Sequence, residues 1–147
     1  AVNSHYETWR APIVRAGVRL HELRADAALR ERIVDVAPVR ARFVGLHVKA
    51  MVVDRRHNFI GSMNLDPRSE TINAEMGVLI DSAPLAARLA GLMDDSMTDA
   101  NSWRVDLAAD GSPRWSSAAG ELTAQPARSL WQRVENLFFK LFPPSLY

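Results

Sequence analysis

The run from His47 to Asn64, HVKAMVVDRRHNFIGSMN, constrains this chain more than any other stretch. It reads as His-x-Lys, then Asp54 after four residues, then Gly61-Ser62-x-Asn64 after six more. The first half alternates and is β-branched, which predicts a strand. FIGSMN predicts a second strand after the polar break Arg55–Asn58. If those four residues form the loop, or a two-residue turn sits at Arg56-His57, Lys49 faces Asn64 and Met51 faces Ser62, with His47 at the same end. Directly opposed residues share a face, so His47, Lys49, Ser62 and Asn64 are expected to project from one side. A three-residue loop would undo this, because a one-residue slip turns a strand's side chains to the other face.

Four polar groups of these types on one face make a phosphate site. A neutral imidazole, as at His47, can attack phosphorus directly to form a phosphohistidine, splitting one displacement into two. Lys49 is a point charge for a non-bridging oxygen, and the Asn64 amide and Ser62 hydroxyl donate to others as charge builds. Of the 18 Lys and Arg residues only Lys49 and Lys140 are lysines. A chain that otherwise uses arginine keeps a compact ammonium here, where a guanidinium fork would act differently. Asp54, seven residues from His47, turns to the opposite face of an unbulged strand and reads as a structural carboxylate near the turn. At roughly 5–7% usage per residue type, a chance match to all six positions is on the order of one in a million.

This run resembles the HKD signature of the phospholipase D superfamily, and its continuation NLDPRSETINAEMGVLID is similar to the bacterial cardiolipin synthase branch. The likeness covers most of residues 1–81 and, more loosely, the tail. It implies an α/β fold, a mixed β-sheet flanked by helices in α-β-α layers, in which two HKD motifs meet at one active site. One His is then the nucleophile and the other protonates the leaving alcohol. The implied catalytic set is His47, Lys49, Asp54, Asn64 and Glu75, with Glu75 orienting the catalytic imidazole; Ser62 and Arg68 contact substrate. Arg68, in the turn Asp66-Pro67-Arg68-Ser69, reads equally as a solvent-facing turn residue or as a contact to a second phosphate or headgroup. No cofactor and no metal are implied, because a Lys/Asn/Ser oxygen cage does the work of a metal clamp. The partners implied are a phosphatidylglycerol-like phospholipid and a second HKD half, in the same longer chain or as a homodimer mate. The implied location is peripheral at a bacterial inner membrane, or cytoplasmic.

At 147 residues and 48% hydrophobic, the chain is expected to form a single domain over 1–147 with one substantial core. It opens on AVNSHYETWR without a Met or a signal pattern and carries one HKD motif, so it is expected to be the C-terminal half of a two-motif protein. A formal charge of +1 gives no general draw toward nucleic acid. The absence of cysteine excludes disulfides and thiol chemistry. No apolar run approaches the ~20 residues that span a bilayer. Two rival readings stand beside phosphatidyl transfer: a single-motif nuclease pairing two chains across a two-fold, and an inactive half kept for its binding surface.

Along the chain, a helix is predicted over residues 3–16, burying Tyr6, Trp9 and Ile13, with Pro12 against its continuity and Gly17 at its end. GVRLHEL is a strand with His21 exposed. The Arg-rich stretch 24–42 is a solvated helix over 26–34 and a loop at Pro38, or else a basic flap near a headgroup. Residues 73–81 form a strand, and 82–97 a helix capped by Ser82 with Leu85, Leu89, Leu92 and Met93 buried. Asp94, Asp95 and Asp99 are surface acid without matching metal ligands. A hairpin runs from Trp103–Leu107 through Asp110-Gly111 to Trp115, followed by a linker at 120–126. An amphipathic helix over 127–142, with Leu130, Val134, Leu137 and Leu141 in its stripe, docks on its own domain or lies in a membrane surface.

Overall fold

The computed structural model describes residues 2–33, 46–64 and 67–126, which fall into two compact units. One is drawn from residues 1–44 and 97–147, the other from 45–96. The α/β class holds, with helices beside two sheets. Every ladder among the described strands is antiparallel, where the resemblance implies a mixed sheet. The helix expected over 127–142, like most of the Arg-rich stretch beyond Ile33, lies outside the described residues.

In the first unit, α1 (Val2–Arg15) runs through Pro12 and ends at Gly17, whose φ of 86° suits a left-handed cap. Gly17 N–H donates to Val14 O and Val18 N–H to Ile13 O, closing the last carbonyls. Next comes β1 (Leu20–Leu23), which pairs with β5 (Ser102–Leu107); β5 forms the expected hairpin with β6 (Pro113–Ser117). Residues 120–122 are not linker: they form β7 (Gly120–Leu122) along β6, giving the order β1-β5-β6-β7. Of the helix expected over 26–34, one turn forms, α2 (Arg30–Ile33). Arg24 instead pairs with Asp26 through two hydrogen bonds, a local alternative to helix. Ala27, Leu29, Val105 and Trp115 are buried here.

The helix face that α1 buries differs from the expected one. Trp9 is 63% exposed, whereas Arg10 is 3% exposed. Tyr6, Arg10 and Ile13 share a face by i, i+4, i+7 spacing, and Arg10 has a carboxylate waiting on β1. Its Nε donates to Glu22 Oε1 at 2.5 Å, and its guanidinium lies 4.6 Å from the Tyr6 ring centroid and 5.4 Å from that of Trp115. Glu22 Oε2 accepts from Trp115 Nε1 at 2.9 Å. His21 is half-buried, not exposed, and burial lowers its pKa, with Arg104 and Arg19 adding to the effect.

Burial, and then the Glu22 carboxylate, push the Tyr6 phenol up to about 12. A raised folded pKa favours the neutral phenol in the native state. Its contribution is therefore complete below the unfolded value of 10.0 and is lost as pH rises through about 12. Melting temperature should accordingly fall across that alkaline window, and Tyr6→Phe should flatten the fall. An equally steep fall in Tyr6→Phe would assign the alkaline loss to other groups.

In the second unit, β2 (Ala50–Val53), β3 (His57–Gly61) and β4 (Gly77–Asp81) form a sheet in that order. Its other elements are α3 (Pro67–Thr71) and α4 (Ala83–Ser96), the latter packing on β2 and β3. Ser82 caps α4, its Oγ accepting from Leu85 N–H at 3.4 Å and its carbonyl from Ala86 N–H at 2.9 Å. The helix buries Ala86 and Ala90, so small residues bring it close to the sheet; Leu85, Leu89 and Met93 are half-buried and Leu92 is 53% exposed. Asn58, with no exposed surface, shares its two amide N–H protons among the carbonyls of Arg56, Ile80 and Ser82, each 3.1–3.2 Å from Nδ2. One side chain thus ties the hairpin to β4 and the start of α4.

Candidate active site

The candidate site is carried by the hairpin β2–β3, and its loop decides the register. Val53 pairs with His57, leaving the three residues Asp54, Arg55 and Arg56 as the loop. Asp54 and Arg55 adopt φ of 51° and 49°, and Arg56 N–H donates to Val53 O at 3.1 Å. Two consecutive left-handed residues match the twist of a tight hairpin turn, and Asp tolerates that region better than most side chains. Asp54 is thus a turn residue, with no hydrogen bond or ion pair from its carboxylate among the described residues.

This three-residue loop overturns the expected pairing. Met51 faces Phe59 instead of Ser62, and Gly61 N–H donates to Lys49 O at 2.9 Å, so Lys49 lies opposite Gly61 instead of Asn64. By the alternation of the ladder, Lys49 shares a face with Met51, Phe59 and Leu79, and Ser62 belongs to the other. The ladder stops at Gly61, and Ser62, Met63 and Asn64 continue beyond it, all exposed. The expectation failed on turn chemistry: Asp54-Arg55 lacks the Asn-Gly type of signal that marks a left-handed turn in sequence.

The glycine of the motif has a steric reason. Gly61 pairs with Gly77, and the Phe59 ring lies across both. A Cβ on Gly61 would sit 2.8 Å from Phe59 Cζ and 2.9 Å from Met76 O; on Gly77 it would sit 2.5 Å from Phe59 Cε2. The aromatic ring therefore needs two bare backbones, one on each strand.

His47 is exposed, and its ring makes no hydrogen bond among the described residues; its carbonyl accepts from Lys49 Nζ at 3.3 Å. Lys49 is half-buried and Asn64 exposed. Ser62 and Glu75 meet: Ser62 Oγ donates to Glu75 Oε2 at 2.5 Å and accepts from Met76 N–H at 3.0 Å. Glu75 Oε1 accepts from Asn73 Nδ2 at 3.2 Å. The expected approach of Glu75 to His47 is not among these hydrogen bonds. Arg68 lies on α3, with its side chain outside the described residues. Asn73 was not singled out from sequence, although Asn73 and Glu75 alternate onto one face, the signal that pairs them.

Arg56 in the β2–β3 loop and Asp81, the β4 partner of neighbouring His57, form a two-pronged pair at 2.7 and 2.9 Å, and the guanidinium holds the Asp81 carboxyl below its usual range. No group of three or more His, Cys, Asp or Glu able to hold a metal occurs among the described residues, and no helix among them is long and apolar enough to cross a membrane.

Residues 3–97 match the family described as cardiolipin synthase, PLD-like domain. Among curated proteins, cardiolipin synthase C of Escherichia coli (strain K12) is 34% identical over 137 residues, covering 90% of this chain and 29% of that protein. Cardiolipin synthase A of Klebsiella pneumoniae (strain 342) is 33% identical over 101 residues, 69% of this chain and 17% of that protein. An uncharacterized protein of Helicobacter pylori (strain J99 / ATCC 700824) is 33% identical over 105 residues, 69% and 19% respectively. The chain thus spans less than a third of the length of these relatives. No solved structure matches.

Proposed function

The chain belongs to the cardiolipin synthase family of phospholipase D-like domains, and from that membership we propose that it supplies one half of a phosphatidyltransferase site. What carries the reading is the HKD run 47–64 lying inside the matched segment, with the His47 imidazole exposed and making no hydrogen bond among the described residues. The reaction exchanges one alcohol for another on a phosphodiester. One imidazole attacks phosphorus, the bond to the leaving alcohol's oxygen breaks, and a second, protonated imidazole gives that oxygen its proton. The second imidazole, now neutral, takes the proton of the acceptor alcohol. The acceptor's oxygen attacks phosphorus and expels the first imidazole.

His47 is one of the two imidazoles, and Lys49 and Asn64 hold non-bridging oxygens as charge develops. His5, His21 and His57 belong to no second His-x-Lys, so the other imidazole comes from a second HKD motif, in a longer chain or a second copy. The substrate is a phospholipid of the phosphatidylglycerol type, met at a membrane surface.

The test is transfer on phosphatidylglycerol vesicles, following diphosphatidylglycerol and released glycerol. An assembly with two HKD motifs should turn over in excess EDTA, and a strictly monomeric preparation of these residues should not. Activity lost to EDTA and restored by a divalent ion would overturn the oxygen-cage mechanism. Salt-sensitive DNA cleavage without lipid transfer would favour the nuclease instead.

A further inference from the structure

Phe59 fills the place of a side chain that its strand neighbour lacks. Its ring end, Cζ, lies 2.8 Å from where a Cβ on Gly61 would stand, and Cε2 lies 2.5 Å from where one on Gly77 would stand. Phe59, Gly61 and Gly77 belong to one face of the sheet, which is also the face of Lys49, Met51 and Leu79. On that face Met51 is 53% and Leu79 83% exposed, yet Phe59 is half-buried. The ring is laid down over two bare backbones instead of standing up from the sheet, as aromatic side chains are when they cover strand glycines.

The direction of the ring matters because Gly61 lies opposite Lys49, its N–H donating to Lys49 O at 2.9 Å. The Cβ atoms of directly opposed residues stand about 4.5–5.5 Å apart. The end of the Phe59 ring consequently takes the position of the cross-strand neighbour of Lys49. We propose that Phe59 is a positioning residue for the reaction, a shelf for the Lys49 stem that presents its ammonium at the His47 end of the hairpin. A lysine carries its charge on four flexible carbons, and such a stem lies along apolar surface while the head stays in water. Lys49 is half-buried, and its Nζ reaches back to His47 O at 3.3 Å. The ring fills the space toward Met51 and leaves the ammonium the His47 end. A charge meant for a non-bridging oxygen is useful only if held in place before reaction. The pair of glycines then has a purpose beyond the strand: both are bare so that the ring can reach Lys49. The inference rests on the reading above that Lys49 holds a phosphoryl oxygen.

The test is a double-mutant cycle on turnover in a two-motif assembly, with kcat expressed per competent site and the sites counted by covalent trapping. Lys49→Ala should lose on the order of 10²-fold, as loss of one donor to a developing charge does. Phe59→Ala should lose on the order of 10-fold, because a misplaced ammonium still supplies part of its charge. In both, kcat and kcat/KM should fall equally. Combined with Lys49→Ala, Phe59→Ala should cost nothing further, since the ring acts through the ammonium. Phe59→Leu keeps apolar fill for the fold but cannot reach across Gly61, and should show the same loss per site as Phe59→Ala. Gly77→Ala sets a Cβ against the ring and against no backbone atom closer than 3.5 Å. It should reproduce the Phe59→Ala loss with the ring still present.

Unchanged kcat in Lys49→Ala would remove the role of Lys49, and the shelf with it. A deep loss in Lys49→Ala beside a wild-type rate per site in Phe59→Leu or Gly77→Ala would overturn the shelf alone. If Phe59→Ala and Lys49→Ala multiply, the ring serves some other part of the site and the proposal is equally wrong. A purely structural role for Phe59 would lower the number of competent sites and leave the rate at each of them unchanged, which the trapping count reads directly.

Discussion

Replacing His47 with Ala should lower turnover at least ~10³-fold, which corresponds to about 4 kcal/mol of lost transition-state stabilisation. The size of the effect does not depend on which of the two imidazole roles His47 fills, since loss of a covalent nucleophile or of its acid partner costs as much. The ring is exposed and makes no hydrogen bond among the described residues, so its removal should leave the melting temperature unchanged. An activity loss without a stability loss is the signature of chemistry at that side chain. The role itself follows from trapping: a radiolabelled phosphatidyl group retained on His47 after an acid-sparing quench makes it the nucleophile. A label found only on the second motif makes His47 the acid. Ordinary activity in His47→Ala would remove the double-displacement mechanism altogether.

Much of the fold was legible because the elements carry local signals. Gly17 ends α1, Ser82 caps α4, and Asp110-Gly111 sits in the turn of the β5–β6 hairpin, where Ser112 donates to Asp110 Oδ1. The errors fall where tertiary partners overrule pattern. Trp9 has core spacing as good as that of Tyr6, yet the buried face of α1 is set by Glu22 on β1, which draws in Arg10. Leu92 belongs to an apolar stripe, yet the sheet beneath α4 admits Ala86 and Ala90. Residues 120–122 look like linker because a short edge strand needs few β-branched residues when β6 supplies its ladder.

The candidate site's residues were named from motif and resemblance, and the cross-strand geometry expected of them was misread. The spacing of the run 47–64 pointed to His47, Lys49, Ser62 and Asn64, and the family resemblance added Glu75. Their mutual arrangement turned on whether the loop held an even or odd number of residues, and Asp54-Arg55 gave no sign of its two left-handed conformations. Within the ladder, a three-residue loop moves every expected cross-strand partner. The Ser62–Glu75 bond needed the β3–β4 register as well, a non-local pairing that no window of sequence contains.

The largest stability effect is expected at Arg10, far from the motif in sequence and absent from it in function. Its side chain is 4% exposed and that of Glu22 18%, so the ion pair sits largely out of water. A buried pair is weak evidence for net stability when both members are removed together, but removing one leaves an uncompensated charge. Arg10→Ala should therefore cost about 3–5 kcal/mol, to which the lost stacking on Tyr6 and Trp115 contributes. That is a large share of the roughly 5–15 kcal/mol that holds an ordinary domain together. Urea unfolding reads the loss as a lower midpoint with an unchanged slope. The paired control is Arg10→Met with Glu22→Gln, which removes both charges and keeps an acceptor for Trp115 Nε1. It should recover much of the stability that Arg10→Ala loses. A loss below about 1 kcal/mol in Arg10→Ala would mean that the pair behaves as a solvated surface contact, and the burial of α1 against β1 would then rest on Tyr6, Ile13 and their apolar neighbours alone.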